Sequence, residues 1–136
     1  MTEILGGTAF FDRTYDEAIA LLHEARNYIA FQEPRDVQDF DSDARLLVSQ
    51  ETLRITCRMT QVMAWLFGQR AVHRGEITRA EALHPDYAVG GQAVCLDDAH
   101  ARDPRLPPAV ADLLDRSHRL YERVVRLDRQ IRETAA

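Results

Sequence analysis

Lysine is missing from this chain of 136 residues; all 17 of its Lys and Arg positions are arginine. Codon bias in a GC-rich genome accounts for that more simply than a functional need for guanidinium. Cysteine is scarce too. The chain has two, Cys57 and Cys95, too few for a disulfide framework or a zinc site. In a reducing compartment both are expected as free thiols, and Cys57, on an apolar stretch, is expected to pack as a small hydrophobe. No apolar run is long enough to span a bilayer, because Arg54, Arg58 and Arg70 interrupt the richest stretch. The opening "MTEILGGTAFFDR" has neither a basic start nor an apolar segment of signal-peptide length. A cytoplasmic address is the expectation, with no membrane partner. A positive balance is also lacking: the net charge of −5 argues against nucleic acid as a partner.

What is present fits one domain across residues 1–136. Hydrophobic residues at 46% and charged residues at 29% are ordinary for a globular protein. There is no internal repeat. Three long helical patterns stand out. The first is predicted to start at the capping-box spacing Thr14-x-x-Glu17, to carry Tyr15, Ile19, Leu22 and Ile29 inward, and to end at Pro34. Asp41 or Ser42 should cap the second, which continues to His73–Arg74 and stops at Gly75, a residue suited to a left-handed C-terminal position. Thr78-x-x-Glu81 predicts a short extra helix closed by Pro85. Residues 85–108 show no period and read as a long loop, of a length that is usually mobile or functional. The third long helix follows Pro107 and Pro108, with Val110, Leu113, Leu120, Val124, Leu127 and Ile131 in a coiled-coil-like stripe and Ser117 in the remaining slot. The expected fold is all-α: an antiparallel three-helix bundle, packed up-down-up, with a short extra helix and a long loop before the last helix.

The second helix carries more apolar surface than one bundle needs. At about 100° per residue, Val48, Ile55, Met59, Val62 and Leu66 share a narrow arc. Leu46, Leu53, Cys57, Ala64, Phe67 and Ala71 fall nearly opposite, and Glu51, Arg54, Arg58 and Gln61 form a polar strip between. The surplus face is explained either by a central helix flanked on both sides or by a symmetric dimer; the reading adopted is a homodimer. Trp65 lies beside the first face and is expected to be buried.

No catalytic constellation appears, so the chain is not expected to be an enzyme. Glu81-x-x-His84 has the spacing of a di-iron ligand pair, but such bundles need two copies and two further carboxylates. Asp97, Asp98 and His100 read as solvated loop polarity, and neither metal nor cofactor is expected. On the last helix Asp112–Arg116, Asp115–Arg119, Glu122–Arg126 and Asp128–Arg132 stand at i,i+4, so its six arginines read as a pair-laced face. The acidic "QEPRDVQDFDSD" sets Val37 and Phe40 among like charges. It is a solvated connection whose last carboxylates cap the next helix, or a docking surface for a basic partner through Asp36 and Asp39.

The stretch "ETLRITCRMTQVMAWLFGQRAVHRGEIT" resembles the signature of the RcdA-like family, alphaproteobacterial regulators of CtrA degradation. Glu51, Arg54, Thr56, Arg58, Gln61, Trp65, Leu66, Gln69, Arg70, Ala71, Val72, Gly75, Glu76 and Thr78 carry the match. A second block is similar through Leu106, Pro107, Leu113, Ser117, Leu120, Tyr121, Arg123, Val124, Leu127 and Asp128. Thr52 and Cys57 depart from the signature, as does Gly68 within the helix. The resemblance implies a dimeric three-helix bundle acting as a non-catalytic adaptor, with a response-regulator-like partner and the ClpXP protease as associates. The candidate partner or dimer interface comprises Leu53, Arg54, Cys57, Arg58, Ala64, Trp65 and Phe67 on the second helix, with Asp36 and Asp39 before it. The alternative is a bundle that senses a small molecule between its helices.

Overall fold

Three long helices dominate the computed structural model, which describes residues 7–135. The "MTEILG" start, expected to lack a targeting signal, lies outside them. Helix α1 (Gly7–Asn27) leads through a π turn (Tyr28–Gln32) into α2 (Glu33–Asp36). Next comes α3 (Ser42–His73), then the short α4 (Arg79–Ala82) and α5 (Gln92–Cys95), and finally α6 (Pro108–Ala135). The all-α three-helix bundle expected from the sequence is present.

Local chemistry sets the limits of α3. Asp41 accepts the Ala44 N–H at 2.8 Å as N-cap. At the other end Gly75, at φ 73°, lets its own N–H bond Val72 and that of Glu76 bond Ala71, the double closure of a Schellman motif. The capping box Thr78–Glu81 is formed in both directions and starts α4.

Two expectations about the first helix are corrected. Thr14 is not its N-cap: the helix is already formed from Gly7, and Thr14, buried mid-helix, donates its hydroxyl to the Phe10 carbonyl. Nor does Pro34 end the helical path. The preceding turn widens, with Glu33 N–H reaching back to Tyr28, and Pro34 enters α2 in its first turn, where a missing N–H does no harm.

The direction of α6 also differs from an up-down-up order. Arg116 pairs with Glu24 and Arg123 with Glu17, so α6 runs against α1. Against α3, Arg58 meets Leu114 and Ser117 while Trp65 meets Asp128, so α6 runs parallel to α3. The 32 residues of α3 span about 48 Å. Residues 74–107, at up to ~3.3 Å each, easily return along that length. They do so along the seam between α3 and α6, burying Val89, Cys95 and Leu106. The expected free loop is a packed layer.

The core follows. Val48, Ile55, Met59, Val62 and Leu66 are sealed, together with Ala18 and Leu21 of α1 and Val110, Leu113, Leu120 and Val124 of α6.

Candidate functional site

The polar strip of α3 does not face water. Glu51, Arg54 and Arg58 are buried at 1%, 8% and 1% exposure, which corrects the expectation of a solvated docking strip at Arg54 and Arg58. The returning 74–107 segment covers them, and its carbonyls need donors. Arg58 gives Nε to Cys95 O at 2.8 Å and Nη2 to Asp97 O at 3.0 Å. Its Nη1 reaches Leu114 O at 3.0 Å and Ser117 Oγ at 3.1 Å. Cys95 O is among the last carbonyls of α5, which a helix end leaves unpaired, and Asp97 O lies in the turn that follows. Arg54 donates to both Glu51 oxygens, at 3.1 and 3.3 Å, and to Val94 O at 2.6 Å. Burial pulls the Arg58 guanidinium below its usual range, and the charge of Arg54 pulls the same way. Burial would lower Arg54 too, but hydrogen bonds and charge from Glu51, helped by Asp97, carry it upward. Ser117, the one polar slot in the α6 stripe, is there to receive Arg58.

A second network sits further along the seam. Trp65, 2% exposed, is buried as expected of it, which corrects its place in the candidate interface, and it donates Nε1 to Asp128 Oδ1 at 3.0 Å. Asp128 also accepts the Val89 N–H at 3.4 Å and Arg132 Nε at 3.1 Å on each oxygen. Arg132 continues to the carbonyls of Leu83 and Ala82 beside α4. Between the networks, Gly90 offers its N–H to Gln61 and its carbonyl to the Tyr121 hydroxyl. Burial raises Tyr121 well above the ordinary tyrosine range. The residues carrying the family resemblance, among them Glu51, Arg54, Arg58, Gln61, Trp65, Ser117, Tyr121 and Asp128, are thus the ones that hold the connection to the bundle.

The surplus apolar face of α3 is open. Leu46, Leu53 and Phe67 are 67%, 68% and 51% exposed, Ala64 is exposed, and Cys57 and Ala71 are half-buried. Leu46, Leu53, Thr60 and Phe67 follow one another at sevens, and so do Gln50, Cys57, Ala64 and Ala71 four residues behind them. Apart from Thr60 the first row is large, and apart from Gln50 the second is small, which makes a seam that another helix can approach closely. Beside its first half, Val94 of α5 joins Leu46, Leu53 and Cys57 around a shallow groove of about 520 Å³. The sequence reading missed Leu46 and Val94 as candidates. The seven-residue spacing was the available signal for Leu46; nothing local marks Val94.

The acidic candidates have separate settings. Asp36 is half-buried and accepts the Tyr28 hydroxyl at 2.7 Å and Gln32 Nε2 at 2.9 Å; the Gln32 bond first, then that from Tyr28, holds it below the usual carboxylate range. Asp39 is exposed. Val37 and Phe40 lean on the core and do not stand out among the charges.

On α6, Arg116–Asp112, Arg119–Asp115 and Arg132–Asp128 are paired as the spacing predicts, while Glu122 faces His118 at 3.2 Å. Among the described residues no three His, Cys, Asp or Glu side chains gather to hold a metal ion, and no helix is long and apolar enough to cross a membrane. A cavity of about 40 Å³ lies between Phe11, Tyr15, Arg70 and His73. Ligand pockets usually offer about 300 Å³ or more.

Comparison with known proteins bears on this arrangement. A family described as "Protein of unknown function (DUF1465)" matches residues 6–136. Among solved structures, the crystal structure of RcdA from Caulobacter crescentus CB15 is similar with 36% identity and a TM-score of 0.71, over 89% of this chain and 89% of that one. The curated proteins gave no match.

Proposed function

Because the chain belongs to the DUF1465 family, with RcdA among its likenesses, we propose that it is a non-catalytic regulator of proteolysis, a dimeric adaptor in the cytoplasm that helps deliver substrates to a ClpXP-type protease during the cell cycle. The observation that carries the dimer is the open seam of α3. Leu46, Leu53 and Phe67 lie on one line about 32 Å long, and a second copy of α3 supplies a matching helix under two-fold symmetry. Adaptor work then falls to what the dimer leaves free, with a response-regulator-like protein as one associate. The sensing alternative draws less support: the cleft of about 310 Å³ between α1 and α6 is lined chiefly by Glu17, Arg116, Arg119 and Arg123 and not by an apolar wall, and the 40 Å³ cavity at Phe11 is too small for a typical ligand.

Light scattering at micromolar concentration should give twice the chain mass. Leu53→Glu places a charge in the middle of the seam and should yield a monomer with unchanged helicity, since Leu53 contributes little to its own core at 68% exposure. A parent that is monomeric, or a Leu53→Glu variant that stays dimeric, overturns the assignment of this face.

For recognition, the acidic segment is the proposed steering surface. Replacing Asp36 and Asp39 together by Asn should slow association with the protease-bound partner several-fold and flatten its salt dependence. Asp39→Asn alone separates steering from structure, because Asp36 also holds Tyr28. If association by either variant keeps the parent's rate and salt slope, the segment is only a connection.

A further inference from the structure

The two cysteines are far apart in sequence and meet in the fold. Cys57 lies on α3 and Cys95 ends α5, and the Cys95 thiol donates to the Cys57 sulfur with the two Sγ atoms 3.2 Å apart. Gly91 passes beside them at φ 71°, where a Cβ would sit 3.3 Å from the Cys95 Sγ and 3.7 Å from that of Cys57. The approach is therefore kept free of side chains on that side. Cys95 is fully buried, whereas Cys57 is half-buried and lines the groove at Leu53 and Val94. One sulfur is reachable from solvent and the other waits behind it. A covalent S–S length of about 2.05 Å is about 1 Å closer than the present contact.

We propose that Cys57 and Cys95 are a reversible dithiol–disulfide couple, oxidised by hydrogen peroxide, which decides whether the 74–107 connection is tied covalently to α3. Cys57 loses its proton and attacks one peroxide oxygen; the O–O bond breaks, an S–O bond forms, and hydroxide leaves as water with that proton. The Cys95 sulfur then attacks the Cys57 sulfur. The S–O bond breaks, and the hydroxyl leaves with the Cys95 proton as a second water. Two thiols give up two electrons and one peroxide takes them. The order follows from the setting: burial first, and the bond to Cys57 second, push the Cys95 thiol up to about 12, so it keeps its proton until the second step. Closure pins Val94 and the Arg54 and Arg58 carbonyl acceptors in place, and with them one wall of the groove. Reduction leaves that wall held by hydrogen bonds alone.

The full-length chain is treated with hydrogen peroxide and its intact mass is read under non-reducing conditions. The expected result is a loss of about 2 Da without interchain cross-linking, reversed by a thiol reductant, and a melting temperature raised by about 5–10 °C. Cys95→Ser should remain as a Cys57 sulfenic acid, about 16 Da heavier, trapped by a sulfenic-acid reagent. Because an occupied seam can shield Cys57, the same treatment is given to Leu53→Glu. Closure in that variant alone supports the couple and places it under the control of docking. If neither protein loses the two protons, or if Cys57 forms only interchain disulfides, the couple does not exist. Intact mass reads closure in monomer and dimer alike, and Leu53→Glu is treated beside the parent, so this proposal and the dimer can fail separately.

Discussion

Replacing Arg58 by alanine is expected to destabilise the bundle by about 3–5 kcal/mol, as removing one member of a buried charged network does. The side chain is 1% exposed and its fork is spent on four oxygens from α5, the following turn and α6. Truncation leaves Cys95 O without its donor inside the sealed seam, at about 1–3 kcal/mol for a group so stranded, and releases Asp97 O nearer the surface. It also opens a cavity. Arg58→Met fills the cavity but donates nothing, so it should recover less than half of the loss. Arg58→Lys keeps the charge, yet one ammonium cannot point at carbonyls on both flanking elements. Against a typical total of about 5–15 kcal/mol, the alanine variant should sit near the edge of folding. Urea melts read the effect directly. An unchanged midpoint for Arg58→Ala would show that the 74–107 segment holds itself in place without this anchor.

The physical origin of that network explains what could and could not be read from the sequence. The limits of α3 and the start of α4 were legible because they depend on neighbours, with Asp41 capping Ala44, Gly75 closing α3 and Thr78 with Glu81 opening α4, whereas Thr14 and Pro34 misplaced both ends of the first helix. The sealed face of α3 was legible because helical periodicity alone places Val48, Ile55, Met59, Val62 and Leu66 together. Its polar strip was misread because a helical wheel records which residues share a side and not what covers that side. The covering segment comes from residues 74–107, whose path depends on pairings with Arg54 and Arg58, up to 40 positions away. The same long connection hid the direction of α6, since a short link enforces antiparallel neighbours and a long one does not. Two hints were available. Ser117 interrupts the apolar stripe of α6 and Asp128 stands directly beside it, and buried polar groups in such positions call for buried partners. The open seam, by contrast, was half legible: the surplus face was seen on the wheel, but its exposure depends on the rest of the bundle leaving it bare.

The second large effect concerns the other anchor. Trp65→Ala should cost about 3–5 kcal/mol, from lost burial of the one indole in the chain and the space it leaves beside Phe11. Volume and hydrogen bonding can be separated here. Trp65→Phe keeps much of the packing and removes the donor to Asp128, so it should cost about 1–2 kcal/mol. Asp128 would still hold Val89 N–H and Arg132. Asp128→Asn removes the charge that Arg132 pairs with and weakens the same tryptophan bond, so the two substitutions should couple: the double variant should lose less than the sum of the singles by about 0.5 kcal/mol or more. Hydrogen exchange should show the consequence in place, with faster exchange at Val89 and around α4 in Asp128→Asn while the middle of α3 stays protected. Additive losses, or an Asp128→Asn variant with parental exchange at Val89, would mean that Trp65 acts as packing alone and that the end of the connection is secured by Arg132 through Leu83 and Ala82.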